Sequence, residues 1–131
     1  MRANRREGGR AEEKLRDLLR AEKLRFRIHA PDVVGRPDMV FDRQRVAVFC
    51  DGDFWHGRDW RRLRTALARR SNATYWLEKI ASNRSRDRRQ TRDLRQSGWL
   101  VLRLWETDIM RSPGSAAAQV NLQVRSRDAK M

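Results

Sequence analysis

The stretch GRPDMVFDRQRVAVFCDGDFWHG, Gly35 to Gly57, decides how this chain folds. "DMVFD" and "RVAVFC" are compact apolar runs, separated by the polar residues Asp42 to Arg45. Short apolar runs bounded by turn-forming residues predict a hairpin of sheet-core strands. The second run ends in Asp51 and Asp53, followed by Phe54, Trp55 and His56. A buried strand end rarely collects acids, aromatics and an imidazole unless something is bound or transformed there.

Working outward, residues 1–10 are rich in Arg and Gly and poor in apolar side chains, which predicts a mobile basic arm. From Ala11 the pattern turns helical, with Leu15, Leu18, Leu19 and Leu24 on one stripe. Arg25 to His29 alternates around Phe26 and Ile28, a short strand that Pro31 and the Gly35-Arg36-Pro37 turn interrupt. After Gly57, "RDWRRLRTALARRSNA" reads as a helix or ordered loop. One long helix is predicted from about Thr74 to Gln96, closed by Gly98. "WLVLRLWE", Trp99 to Glu106, reads as another buried strand, and residues 113–131 as a tail or short helix. The order helix, strand, strand, strand, helix, strand predicts an α/β fold. A central mixed sheet is flanked by helices in a single domain over residues 11–112.

With 131 residues the chain is long enough for one hydrophobic core. Its formal charge is +14 and its isoelectric point is near 11.6, almost all of it from Arg. Such a surface attracts polyanions, with DNA or RNA foremost, although an Arg-rich codon composition would load the chain in the same way. Between Arg58 and Arg95 there are 13 Lys/Arg against 4 Asp/Glu, so the surplus follows directly on the acidic strand end. A phosphate backbone would be drawn to that place. The single cysteine, Cys50, excludes an internal disulfide and a thiolate-rich zinc site. No apolar run reaches the roughly 18 residues of a membrane span, and no signal-peptide pattern opens the chain. These features predict a soluble, intracellular protein.

The chemistry starts with carboxylates. Asp38 opens the first strand of the hairpin and Asp51 ends the second, so the two can face each other across the ladder and share a divalent cation. Oxygen donors in low number suit Mg²⁺, with Mn²⁺ as substitute, better than zinc. Such an ion polarises a scissile phosphate and activates water. The alternative is turn duty for both acids. His56 is a candidate proton carrier, or a merely structural histidine. Phe54 and Trp55 either cap the core or present a ring that can wedge between bases. On the long helix, Trp76, Ile80, Asn83, Asp87, Thr91 and Leu94 fall on one stripe. Asn83 and Asp87 on a core-facing stripe need partners, either backbone groups or the acidic site. Glu12 and Glu106 are further acids that can converge there, and Arg58 and Arg61 are candidate phosphate contacts.

Four ordered blocks, "GRPDMVF", "RVAVFCDGDFWHG", "YWLEKIASNRSRDRR" and "LRQSGWLVLRLWE", resemble the very-short-patch-repair (Vsr) endonucleases and the Vsr-like nucleases of the PD-(D/E)XK superfamily. The match runs from about Glu12 to Glu106. It implies a restriction-endonuclease-like core and Mg²⁺-dependent hydrolysis of double-stranded DNA, by a monomer nicking one strand beside a T:G mismatch. It also implies a bacterial, cytoplasmic, nucleoid-associated setting. By motif, Asp38 matches the family's metal-binding aspartate, and Cys50 the position lending its backbone carbonyl to the metal. His56 matches the active-site histidine, Glu12 the helix-one glutamate, and Phe54, Trp55 and Trp76 the aromatics that insert into DNA. The chain departs from the family at Asp51, which stands where the pattern has a second histidine. It departs again at Asp53, Arg58, Trp60 and Thr107, which replace the ligands of the family's structural zinc. Without zinc, the loop after Gly57 is expected either to be held by packing, with Trp60 a good candidate, or to stay mobile until DNA binds. The rival readings are a Vsr-like nuclease of defence or mobile-element function, and a DNA-binding module without catalysis.

Overall fold

Two helices of this protein end in the same closing turn, and each hands the chain to a strand. At the first, Lys23 adopts the left-handed conformation (φ +64°). Its N–H bonds to the Arg20 carbonyl, and the N–H of Leu24 bonds back to Leu19. At the second, Gly98 (φ +91°) bonds to Arg95, and Trp99 bonds to Leu94. Both are the paired 5→2 and 6→1 bonds that satisfy orphan helix carbonyls, with an apolar contact beneath. Leu19 and Leu24 share one core cluster, and Leu94 and Trp99 share the other.

The computed structural model describes residues 2–131, with side chains from residue 9 onward. Its elements are α1 (Arg2–Ala21), β1 (Arg27–Ile28), β2 (Met39–Phe41), β3 (Val46–Asp51), α2 (Trp60–Leu67), α3 (Ala73–Gln96), β4 (Leu100–Trp105), α4 (Glu106–Arg111) and α5 (Pro113–Ala129). The basic arm expected over residues 1–10 lies partly outside the described residues. α1 is drawn from Arg2, and of side chains up to residue 8 nothing is described.

The expected hairpin forms: Met39 pairs with Val48 and Phe41 with Val46, antiparallel. β1 adds to the outer side of β2, also antiparallel. β4 pairs with β3 in parallel, from Val46–Leu100 to Asp51–Trp105, and closes the order β1-β2-β3-β4. A parallel neighbour needs a long crossover, which α2 and α3 supply. The fold is therefore α/β, a four-stranded mixed sheet flanked by helices in one domain, as the sequence predicts.

Alternation along β3 divides the core. Val46, Val48 and the half-buried Cys50 face α1, α4 and α5, beside Leu15, Leu19, Ile109, Val120 and Val124. Ala47 and Phe49 face the other way, beside Leu94, Val101 and Trp99. The stretch after Pro113, read as a tail or short helix, is a 17-residue helix with Ala116, Ala117, Val120 and Val124 buried against the first cluster. At the end of β3, odd and even positions thus deliver functional groups to opposite faces of the sheet.

Candidate active site

On the α1 side, Glu12, His29 and Asp38 converge, their ligand atoms all within 4.8 Å of one another. Glu12 is buried one helical turn from the core residue Leu15, so α1 packing aims it at the sheet. It accepts from Arg16 and from His29 Nε2, the latter at 2.6 Å. His29 is fixed by its backbone N–H, which bonds to the Asp38 carbonyl at 3.1 Å. Asp38 accepts the Cys50 N–H on Oδ2 at 2.6 Å, a bond that ties the start of β2 to the end of β3. Burial pushes the Asp38 carboxyl up to about 7; the Cys50 N–H opposes the rise, while the charges of Glu12 and Asp51 add to it. Among the described residues Asp38 has no salt-bridge partner, so the protein alone leaves this carboxylate without a compensating charge. Carboxylate donors in such a place suit a hard divalent cation, and the group fits one.

On the α3 side, Asp51, His56 and Asp87 form a second group of the same kind. Asp51 is buried at the end of β3, and its two oxygens each lie 3.1 Å from Arg103 Nη1. His56 Nδ1 donates to Asp87 Oδ2 at 2.5 Å and lies 3.7 Å from Asp51. Asp87 comes from the middle of α3, at the stripe position noted in the sequence. Burial pulls the His56 pKa down, but the Asp87 bond and the charges of Asp51 and Asp87 outweigh it, and the net shift is upward. Burial raises Asp87, yet the bond from His56 and the nearby cations leave it below its ordinary value. Burial outweighs His56 and Arg103 at Asp51, whose pKa is raised.

Asp38 and Asp51 therefore belong to two separate groups. Asp51 is nonetheless close enough to Asp38 to add to the rise of its pKa. His29 and Arg103 are site residues that the sequence reading missed. His29 is the chain's only other histidine, and Arg103 is the lone charge inside the apolar run "WLVLRLW". Those are the signals that could have found them.

Residues 52–59 form the turn that carries His56. Gly57 (φ +66°) lies so close to α3 that a Cβ would meet Arg84 Cδ at 2.6 Å and Ile80 Cγ2 at 2.9 Å. Asn83 Nδ2 donates to the Trp55 carbonyl at 2.8 Å, so this polar stripe residue is satisfied by backbone. Phe54, Trp55 and Trp76 gather into one half-buried cluster, with centroids 5.1 to 5.7 Å apart. Exposed Tyr75 extends it, 5.0 Å from Trp76.

Where zinc ligands were expected to be missing, side chains hold the loop. Arg58 Nη1 bridges Asp53 at 3.1 Å and Asp108 at 3.0 Å, and Thr107 N donates to Asp53 at 3.1 Å. The Arg84 guanidinium covers Trp60 at 5.3 Å, which is the packing role anticipated for that tryptophan. Arg58, a candidate phosphate contact, is thus engaged within the protein, whereas Arg61 is exposed on α2.

Fold and site together define an α/β nuclease-type arrangement, with acids and a histidine at the end of a sheet strand beside a basic helix. A family model described as DNA mismatch endonuclease Vsr matches residues 1–62. The chain is 35% identical over 127 residues to type II nicking enzyme V.NmeDIP of Neisseria meningitidis serogroup C, covering 97% of this chain and 84% of that one. It is 33% identical to type II nicking enzyme V.HpaIIP of Haemophilus parainfluenzae, over 79% of this chain and 72% of the relative. It is 39% identical to the DNA mismatch endonuclease Vsr of Escherichia coli (strain K12), over 72% of this chain and 59% of that protein. This chain belongs to the Vsr family of DNA endonucleases, and is a nuclease. Among the described residues, no helix is long and apolar enough to cross a membrane.

Proposed function

We propose that this protein is a Mg²⁺-dependent endonuclease that nicks one strand of duplex DNA at or near a T:G mismatch, acting as a monomer. The observation that carries the reading is the juxtaposition of two groups at the end of β3: Asp38, without a salt-bridge partner among the described residues, beside Glu12, and His56 bonded to Asp87. Asp38 and Glu12 would hold the metal, with the Cys50 backbone beside them. When bound, the ion supplies a Lewis acid for the phosphate and a more acidic water. His56 handles the proton at Nε2, because Nδ1 is committed to Asp87 and its tautomer is thereby set. Phe54, Trp55 and Trp76 supply apolar rings for insertion between bases.

DNA is steered by α3. Arg88, Arg92 and Arg95 follow one another at steps of four and three on one face. With Asp87, Thr91, Gln96 and Arg103 they line a groove of about 690 Å³ that reaches Asp87, the partner of His56. Of the three, only Arg92 has an ion-pair partner among the described residues, Asp93 at 3.3 Å. Free guanidinium groups beside a hydrolytic site are suited to successive phosphates of one strand.

The experiment is a panel of end-labelled duplexes with Mg²⁺: T:G mismatches in several contexts, the fully paired control and single strands. Nicking confined to T:G duplexes supports the full reading. Cleavage of every duplex alike would leave the nuclease and remove mismatch specificity, favouring a defence or mobile-element role. Salt-sensitive binding without cleavage would favour the binding module.

A further inference from the structure

The two groups at the end of β3 have similar donors but place their guanidinium differently: Arg16 pairs with Glu12 and does not reach Asp38, whereas Arg103 reaches both Asp51 and Asp87. Asp38 has no cation within salt-bridge range among the described residues. Asp51 already has one. Arg103 Nη1 sits 3.1 Å from both Asp51 oxygens, and the same guanidinium lies 3.8 Å from the Asp87 carboxylate. It is also locked in place. Nε donates to Thr91 Oγ1 at 2.7 Å, Nη2 donates to the Asp87 carbonyl at 3.4 Å, and the plane rests 4.0 Å from the Phe49 ring centroid. Its side chain is only 20% exposed. An arginine held by α3, β3 and β4 together has no alternative place to swing to.

We infer that Arg103 is a resident counter-ion for the Asp51/Asp87 pair, so that the His56 group takes no metal and the chain holds a single divalent ion, at Asp38. This rests on the reading of Asp38 as the metal residue. A divalent cation ligating the Asp51 oxygens would sit against a fixed guanidinium charge, and like charges at that separation in a half-buried site repel strongly. Both carboxylates of this cluster already have a fixed partner, Arg103 at Asp51 and His56 with Arg103 at Asp87, whereas Asp38 has none in salt-bridge range among the described residues. Its function is to orient His56. Arg103 holds Asp51 and Asp87 in place, and Asp87 fixes the imidazole through Nδ1. Arg103 is in this sense a positioning residue, touching no reacting atom. It also explains a charge in the middle of an apolar strand, where burial is costly without partners.

The test counts bound Mn²⁺ on the purified full chain by electron paramagnetic resonance and calorimetry. Wild type is expected to bind one ion. Asp38→Asn should lose it, and Asp51→Asn should leave the count at one. Arg103→Met, which removes the guanidinium and keeps the stem, should raise the count to two, and Arg103→Lys should return it to one. Two ions on wild type, or loss of an ion in Asp51→Asn, would overturn the inference even if Arg103→Met fails to fold. An unchanged count in a folded Arg103→Met would also overturn it. If Asp38→Asn keeps its ion, the assignment of the metal to Asp38 fails. The Arg103 comparison still stands in that case, because it reads a gain relative to wild type.

Discussion

His56 and Asp87 share a bond of 2.5 Å, and the pH dependence of the protein turns on it. A histidine whose folded pKa is raised adds stability that is fully present below its ordinary value near 6.5 and is lost as pH rises through the raised value. Asp87, held low, adds stability that is present above about 4 and is lost as pH falls through the lowered value. The stability gap between wild type and His56→Gln, followed by denaturant titration, should therefore be widest between about pH 4 and 6.5 and shrink above it. For catalysis the sign reverses. A base must be neutral, so single-turnover cleavage should rise with pH along a limb lying above 6.5. Asp87→Asn should move that limb to lower pH, since it removes both the bond and the charge that raise His56. His56→Ala should slow cleavage by about 10²- to 10⁴-fold. Asp38 makes a third prediction: with its carboxyl near 7, metal binding has to displace a proton, so Mn²⁺ affinity measured by calorimetry should strengthen steadily from pH 6 to 8. At this scale the sequence made Asp38, Asp51 and His56 legible, because strand-end acids and a histidine after an aromatic pair are unusual in any fold. It did not show which of them would meet. That depends on β3 alternation, which sends Asp51 toward α3, and on the Cys50 N–H drawing Asp38 toward Glu12. His29 escaped notice because its role needs β1 paired with β2.

Among the elements, the turn at 52–59 and the helix α3 define the working surface. Gly57→Ala forces a left-handed conformation on a residue with a side chain and drives its Cβ into Arg84 and Ile80. The variant should lose about 2 kcal/mol in chemical denaturation and should disturb His56 more than the distant core. Along α3, Arg88→Ala and Arg95→Ala should each reduce the slope of log affinity against log salt by about one, with the nicking position unchanged. An unaltered slope would place the strand elsewhere. Elements with strong periodicity were readable: α3 was expected from about Thr74 to Gln96 and runs Ala73–Gln96. α4 was not, because Glu106 to Arg111 directly continues a strand without a breaker. α5 was read short since its buried stripe is Ala116, Ala117, Val120 and Val124. Such small residues give little contrast in sequence yet allow close packing on α1.

The molecule as a whole sets a strongly basic surface around two small acidic groups, and this contrast is what the net charge of +14 could not reveal by itself. In the function proposed above, charge would bring the polyanion in, the aromatic cluster and α3 would orient it, and Asp38 with Glu12 would hold the ion that supports hydrolysis. The loop after Gly57 is held by Arg58 between Asp53 and Asp108 and by Arg84 over Trp60. Surface pairs of this kind weaken with salt, so high ionic strength should loosen the His56 turn as well as DNA binding. In the proposed function Asp38 serves catalysis through a metal and contributes nothing essential to holding DNA. The most direct measurement compares wild type and Asp38→Asn on one labelled T:G duplex with Mg²⁺, scoring binding by gel shift and nicking by single turnover. Asp38→Asn should bind within about threefold of wild type and nick at least about 10³-fold more slowly. Nicking retained at the wild-type rate, or binding lost together with nicking, would contradict this role for Asp38.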